Sequence, residues 1–286
     1  MRPLAQKSGG VVSDQGGEFN FDPEDFERIR KLIHDRAGIN LHAGKQAMVY
    51  SRISRRLRER GEQSFNKYLK WLEAARGVEA DAEWQEFVNC LTTNLTSFFR
   101  EDHHFRLLAT ELSKRRGRPT RIWCNAASTG EEPYSLAITV AETLGTNADV
   151  NILCSDIDTK VLSKAAAGIY AADTRGLSTD HMHRYFLKGT GSNHGLIRAQ
   201  ANVRKFVEFK QVNLMDAQWS LGNFFDFVFC RNVMIYFNQK TQREVLEKTH
   251  RAMAAGGLLF AGHSENFAES RDLFRMRGKT VYERIG

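Results

Sequence analysis

The stretch Ala126-Ala127-Ser128-Thr129-Gly130-Glu131-Glu132-Pro133-Tyr134-Ser135 brings together small residues, two adjacent carboxylates and a proline. It lies between the apolar run Arg121-Ile122-Trp123-Cys124-Asn125 and the amphipathic run Leu136 to Leu144. This order reads as strand, tight turn and helix start. Small side chains let a ligand approach the backbone, and the first helical turn offers unpaired N–H groups. Glu131 and Glu132 would repel a pyrophosphate and favour a ligand carrying hydroxyls or positive charge. S-adenosylmethionine, with a ribose diol, a sulfonium and an ammonium, fits that description. An ordinary strand-to-helix connection with solvated glutamates is the other reading, because turn patterns recur widely.

The elements around this turn must position it. From Arg121 onward, strand-like and helix-like segments alternate, the pattern of an α/β fold with a doubly wound parallel sheet. Strands are expected at Ile122 to Asn125, Val150 to Ser155, Val207 to Lys210, Phe225 to Cys230 and Leu258 to Ala261, with a final pair near Phe274 to Met276 and Thr280 to Arg284. Helices are expected at Pro133 to Leu144, Asp158 to Ala167 and Gln239 to Ala254. Ligands in such sheets bind beyond the carboxyl ends of the strands. Those ends carry Asn125, Asp156, Asn213-Leu214 and Arg231-Asn232. Asp156 follows the glycine turn by about 25 residues, where a carboxylate can accept both hydrogen bonds of a ribose. Helix capping is the alternative there, and Asp158 could serve it equally.

Residues 19–91 read as a small helical domain. Asp22-Pro23 is an N-cap followed by proline, and Phe26, Ile29, Leu32 and Ile33 recur at helical spacing up to Gly38. A second helix from about Lys45 to Arg60 places Lys45, Arg52 and Arg56 in one stripe with Arg55 beside it. Six basic residues face the single Glu59, which reads either as a solvated face or as a docking surface for an acidic helix or phosphate backbone. Residues 92–120 form the junction: Thr92-Thr93-Asn94-Leu95-Thr96-Ser97-Phe98-Phe99-Arg100 favours turns over helix interiors, and a helix from His103 to Arg116 follows. The methyl-donor reading then occupies residues 121–286, interrupted by an excursion at about 171–206 too long for an ordinary connection. Tyr185 to Ser192 and Leu196-Ile197-Arg198 suggest antiparallel strands joined by a glycine turn.

Composition bounds these readings. The 286 residues suit two domains, and 42% hydrophobic with 26% charged residues is a globular balance. No run of about 18 apolar residues suggests a membrane span. Residues 1–18 lack a secretory apolar block and read as a loose tail, making the cytoplasm the expected location. The four cysteines are scattered and read as buried reduced thiols. His103-His104 reads as a surface pair, and no metal-ligand spacing is present. The net charge of +7 points to an acidic partner without identifying it.

Assembled, the chain resembles the chemotaxis receptor glutamate methyltransferases, the CheR family. The resemblance rests on Leu91 to Arg100, Ala127 to Ser135, Ser155-Asp156-Ile157-Asp158, Cys230-Arg231-Asn232-Val233-Met234-Ile235-Tyr236-Phe237 and Gly262-His263-Ser264-Glu265, in that order. It implies an all-α N-terminal domain and a Rossmann-like S-adenosylmethionine-dependent methyltransferase domain with an inserted antiparallel β-subdomain. It implies a cofactor site of Asn94, Thr96, Arg100, Glu131, Asp156, Asn213, Leu214, Arg231 and Asn232. Tyr236 would lie near the transferred methyl, and Arg100 would hold the cofactor's carboxylate or the incoming glutamate, a duty Arg231 could share. The products would be glutamate γ-methyl esters and S-adenosylhomocysteine. No metal is implied, and the expected species is a monomer without membrane insertion.

Receptor methylation helices are acidic, and Lys45, Arg52, Arg55 and Arg56 offer the complement. Members that tether to a receptor's C-terminal tail peptide carry a glycine-bounded turn in the β-subdomain, which Gly189-Thr190-Gly191 resembles, with Arg198 nearby. A nucleic-acid methyltransferase is the nearest rival. Such enzymes, when they methylate base amines, place an Asn/Asp-Pro-Pro-aromatic turn after the fourth strand, where this chain has Arg231-Asn232-Val233-Met234, so no nucleic-acid partner is expected. A non-catalytic sensor of S-adenosylmethionine that binds receptors is a second rival. A dinucleotide dehydrogenase lacks its Gly-x-Gly-x-x-Gly turn here.

Overall fold

An Asp-Pro start and a glycine stop frame the first helix, as the sequence leads one to expect. In the computed structural model, which describes residues 18–222 and 224–286, α1 spans Pro23–Ala37. The expected tail at 1–18 falls almost wholly outside the described residues. Asp22 caps α1 by accepting from Asp25 N at 2.8 Å, and Gly38 closes it at φ 71°. A Cβ on Gly38 would also come within 2.5 Å of Met215 Sδ, so this stop doubles as a close contact with the α/β half. Helices α2 (Gln46–Arg60), α3 (Phe65–Ala74) and α4 (Val78–Leu91) follow. Phe26, Ile29, Val49, Ile53, Leu57, Tyr68, Leu72 and Phe87 are buried in one cluster. Each such side chain contributes about 1.5–3 kcal/mol through removal from water.

The basic face of α2 is only partly a face. Glu83 is buried and accepts from Arg56 Nε at 2.8 Å, Arg60 Nη1 at 3.0 Å and Tyr68 Oη at 2.8 Å. Burial alone would raise the Glu83 carboxyl, but the hydrogen bonds from Arg56 and Tyr68 and the arginine charges hold it below the usual range. Arg56 therefore leaves the docking stripe expected from the sequence. Arg52 turns in to donate to the carbonyls of Cys90 and Thr92 at 3.1 and 2.6 Å, closing the end of α4. Lys45 and Arg55 remain exposed.

Beyond the irregular segment 92–102 come α5 (His103–Ser113), β1 (Thr120–Cys124), α6 (Glu131–Leu144), β2 (Val150–Asp156) and α7 (Thr159–Ala167). The excursion contains β3 (Ile169–Ala171), α8 (Thr179–Tyr185), β4 (Phe186–Lys188), β5 (Leu196–Ala199) and α9 (Ala201–Arg204). Then follow β6 (Val207–Gln211), β7 (Phe225–Cys230), α10 (Gln239–Ala252), β8 (Met253–Ala261), β9 (Phe274–Gly278) and β10 (Val281–Arg284). The main sheet has the order β6-β2-β1-β7-β8-β10-β9. Its first five strands are parallel and β10 runs antiparallel between β8 and β9. Strand order reverses at β1, which pairs with β2 on one side and β7 on the other, so a crevice opens at their carboxyl ends.

The small sheet has the order β3-β5-β4, all antiparallel. The β4–β5 hairpin matches the sequence reading. β3 was not anticipated; it begins at Ile169, two residues before the expected excursion, and three residues are too short a run for alternation to show. One further departure has a physical cause. His104 is not a surface side chain: it is fully buried against Phe260 and within 3.0 Å of Thr280 Oγ1. Burial and the charge of Arg231 lower it to about 4, so it is neutral at pH 7. All four cysteines are free and buried, and burial raises each thiol. Among the described residues no helix is long and apolar enough to cross a membrane.

Candidate active site

A cavity of about 420 Å³ lies between the carboxyl ends of the strands and the helical region. Gly130 makes the turn at its edge possible. It adopts φ 99°, and a Cβ there would come within 2.6 Å of Tyr170 Oη and 2.9 Å of Ala165 Cα. Tyr170 Oη donates to Thr129 O at 2.9 Å, so β3 of the small sheet braces this turn.

Most of the expected residues meet here. Asn94, Thr96, Arg100, Asp156, Asn213, Leu214, Arg231, Asn232, Tyr236 and Lys45 all line the cavity. Glu131 does not. Its carboxylate accepts from Thr129 Oγ1 at 2.6 Å, and Glu132 lines the cavity in its place. The repulsion that two glutamates would give an anion is reduced as well, because Glu132 pairs with Arg231. Arg231 also donates to the Arg100 carbonyl, lies 3.4 Å from Glu101 Oε2 and is 4% exposed. Both terminal nitrogens of its guanidinium are committed to internal partners, so it is less suited than Arg100 to holding an incoming carboxylate. Burial opposes ionisation of Glu101, yet the His263 hydrogen bond and the Arg231 charge lower it to about 2.

Arg100 is arranged differently. Its Nη1 donates to Leu95 O at 3.0 Å, and it makes no ion pair with a carboxylate among the described residues. Burial raises the Tyr236 phenol, opposed by the nearby charges of Arg100 and Arg52. Asp156 accepts from Ser128 N at 2.8 Å and Asp158 N at 3.0 Å, while burial raises its carboxyl to about 6. Asp158 caps α7 through Lys160 N and Val161 N, and also receives Thr92 Oγ1 at 2.6 Å and Asn94 Nδ2 at 2.8 Å. Asn94 is thereby a wall fixed by Asp158. Asn213 is similar: its Nδ2 donates to Arg36 O at 2.8 Å and its Oδ1 accepts from Met215 N at 2.9 Å.

Gly189, Thr190, Gly191 and Arg198 lie apart from the cavity. The first three open the β4–β5 connection of residues 189–195, and Arg198 is an exposed residue of the central strand β5. Arg52, Arg55 and Arg56 are on α2 and do not line the cavity either.

Two contributors carry roles that the sequence reading left unassigned. Glu265 is buried and accepts from the backbone N–H of Asn232, Val233, Met234 and Gly262 at 2.6–3.0 Å. It thereby fixes the loop that carries Asn232 and Tyr236, with Asn232 held at φ 59°. Burial raises the Glu265 carboxyl against those four hydrogen bonds. Its motif was visible, but a local acceptor for four amides cannot be read from residue types. Asn125, at the end of β1, is 2% exposed and lines the cavity. Apart from contact with the Cys230 thiol, a weak partner, neither its amide oxygen nor its nitrogen is satisfied among the described residues.

Comparison with known proteins bears on this geometry. Residues 24–92 match the family model for the CheR methyltransferase all-alpha domain, and residues 94–283 match that for the CheR methyltransferase SAM binding domain. The chain belongs to the CheR methyltransferase family. It is 49% identical over 281 residues to the chemotaxis protein methyltransferase of Klebsiella aerogenes, covering 97% of this chain and 95% of that one. The Escherichia coli protein of the same name is 49% identical over 259 residues, 90% of this chain and 89% of that one. Chemotaxis protein methyltransferase 2 of Pseudomonas aeruginosa is 48% identical over 270 residues, 93% and 94% of the two chains.

The residues present fit the S-adenosylmethionine that this CheR family domain binds. The orphaned Asn125 amide offers both an acceptor and a donor on the cavity floor. Asp156 can accept ribose hydroxyls, and Leu214 supplies apolar wall. When bound, the cofactor supplies an electrophilic methyl carbon on a sulfonium.

Proposed function

We propose that this CheR family methyltransferase esterifies glutamate side chains of chemotaxis receptors, giving γ-methyl esters and S-adenosylhomocysteine. A glutamate with its ordinary pKa of about 4.3 is ionised at neutral pH, so no side chain has to remove a proton. The enzyme's task is to align the acceptor and exclude water. The observation that carries the reading is Arg100: a guanidinium without an internal carboxylate, on the wall of the cavity that Tyr236 also lines. Arg100 holds an incoming carboxylate by charge-assisted hydrogen bonds, and Tyr236 bounds the space in which its oxygen waits. The Arg231–Glu132 pair offsets one carboxylate of the floor and so lessens the repulsion that an anionic acceptor meets there.

Lys45 and Arg55 supply the positive charge that steers an acidic receptor helix toward the mouth. The Gly189-Thr190-Gly191 turn and Arg198 form a separate capture point for the receptor's tail peptide, which raises local substrate concentration. The names of the similar proteins support the chemotaxis setting. The deciding experiment incubates the purified protein with methyl-labelled S-adenosylmethionine and receptor-bearing membranes. Label in the receptor that mild alkali releases as methanol is expected. Label that resists alkali, or that enters RNA, overturns the reading.

A further inference from the structure

Of the large apolar side chains exposed among the described residues, two stand at the mouth of this one cavity. Leu95 is 82% exposed and Ile235 48% exposed, and both line it. A single exposed leucine is ordinary, but this pair is held in place by an ordered frame. The carbonyl of Asn94, next to Leu95, accepts from Ser128 Oγ at 3.1 Å, and that of Leu95 itself accepts from Arg100. Ile235 lies between Met234, whose N–H is held by Glu265, and Tyr236, whose carbonyl accepts from Asn40 N at 2.7 Å. The apolar groups therefore flank the two side chains to which the reaction is assigned. Lys45, on the helical side of the mouth, is exposed and forms no ion pair among the described residues.

We infer that Leu95 and Ile235 are an apolar seat for one turn of an acidic amphipathic helix, the turn that presents the glutamate to be methylated. This rests on the proposed glutamate reading and adds a specificity element to it. When a glutamate on a helix enters the cavity, residues three and four positions away on the same face reach the rim with it. Apolar side chains at those positions are covered by Leu95 and Ile235. A carboxylate there would lose water without gaining a partner. Charge argues for an acidic partner over a second copy of this chain, because two chains of net charge +7 repel each other while Lys45 and Arg100 attract an acid.

The test compares Leu95→Asp and Ile235→Asp with the wild type on receptor-bearing membranes, with Leu95→Met as the conservative control. KM for the receptor should rise about tenfold in each Asp variant, the scale of one interface anchor. The kcat and the calorimetric affinity for S-adenosylhomocysteine should stay close to wild type, and Leu95→Met should behave as wild type. An unchanged KM in both Asp variants, beside a wild type that methylates the receptor, overturns the seat and leaves the reaction standing. Loss of S-adenosylhomocysteine affinity parallel to the KM change also overturns it, since the residues would then be structural. A wild-type dimer in sedimentation that Leu95→Asp dissolves assigns the pair to a second copy instead. A wild type that forms no alkali-labile ester defeats the glutamate reading, and the seat with it.

Discussion

The floor and the mouth of the cavity treat charge in opposite ways. On the floor, Arg231 is shared between Glu132 and Glu101, Glu265 is surrounded by four amides, and Asp156 by two. At the mouth, Arg100 and Lys45 have no carboxylate among the described residues, and Leu95 and Ile235 lie open. A charge already satisfied inside the fold builds the site, whereas one left over awaits a ligand. Burial enforces this division: an unpaired ion on the floor would cost several kcal/mol, while water pays the solvation of one at the mouth.

The largest effect should come from the mouth. Arg100→Ala is expected to lower turnover on receptors by about 10²–10³-fold, the scale of a lost charge-stabilising donor, with little change in melting temperature. If it melts early instead, Arg100 belongs with the floor and the contrast fails. Glu265→Ala should do the reverse. Orphaning four backbone amides is expected to destabilise the protein by about 3 kcal/mol in urea titrations, and cofactor affinity should fall as the Asn232–Tyr236 loop loosens. Full stability in that variant would mean that the loop holds itself.

A smaller effect follows from Asp156. Its carboxyl, raised to about 6, must be ionised to accept two ribose hydroxyls. Calorimetric affinity for S-adenosylhomocysteine should therefore be flat above pH 6 and fall by about tenfold for each unit below it. Stability moves the other way: the same group favours the fold at low pH, and that contribution is lost as pH rises from about 4 to 6. A flat affinity profile would take Asp156 out of ribose binding. The smallest change is expected for Lys45→Glu combined with Arg55→Glu, which should slow receptor methylation several-fold at low salt and progressively less as salt screens the encounter. An effect independent of salt would mean a contact and not steering.

The floor was more legible in sequence than the mouth. Strand ends announce themselves through apolar runs that stop at polar residues, so Asp156, Asn213 and Asn232 could be placed on one edge. The turn at Gly130 was equally plain. Choosing between Glu131 and Glu132 was not possible, because successive helix residues point about 100° apart and only Arg231, distant in sequence, decides which carboxylate turns inward. Arg56 was misplaced for a related reason. The helical wheel gives its face, but Glu83, 27 residues later, makes that part of the face interior. In the sequence Leu95 and Ile235 show only as members of motifs, since exposure is a property of the assembled surface.

The four sealed thiols have a practical consequence. Cys90 belongs to the helical cluster, whereas Cys124, Cys154 and Cys230 sit in the sheet. A thiol-alkylating reagent should therefore leave the native enzyme unmarked and tag it only when a core opens. The peptide that carries the tag would then reveal which half of the molecule gave way first, without any engineered label.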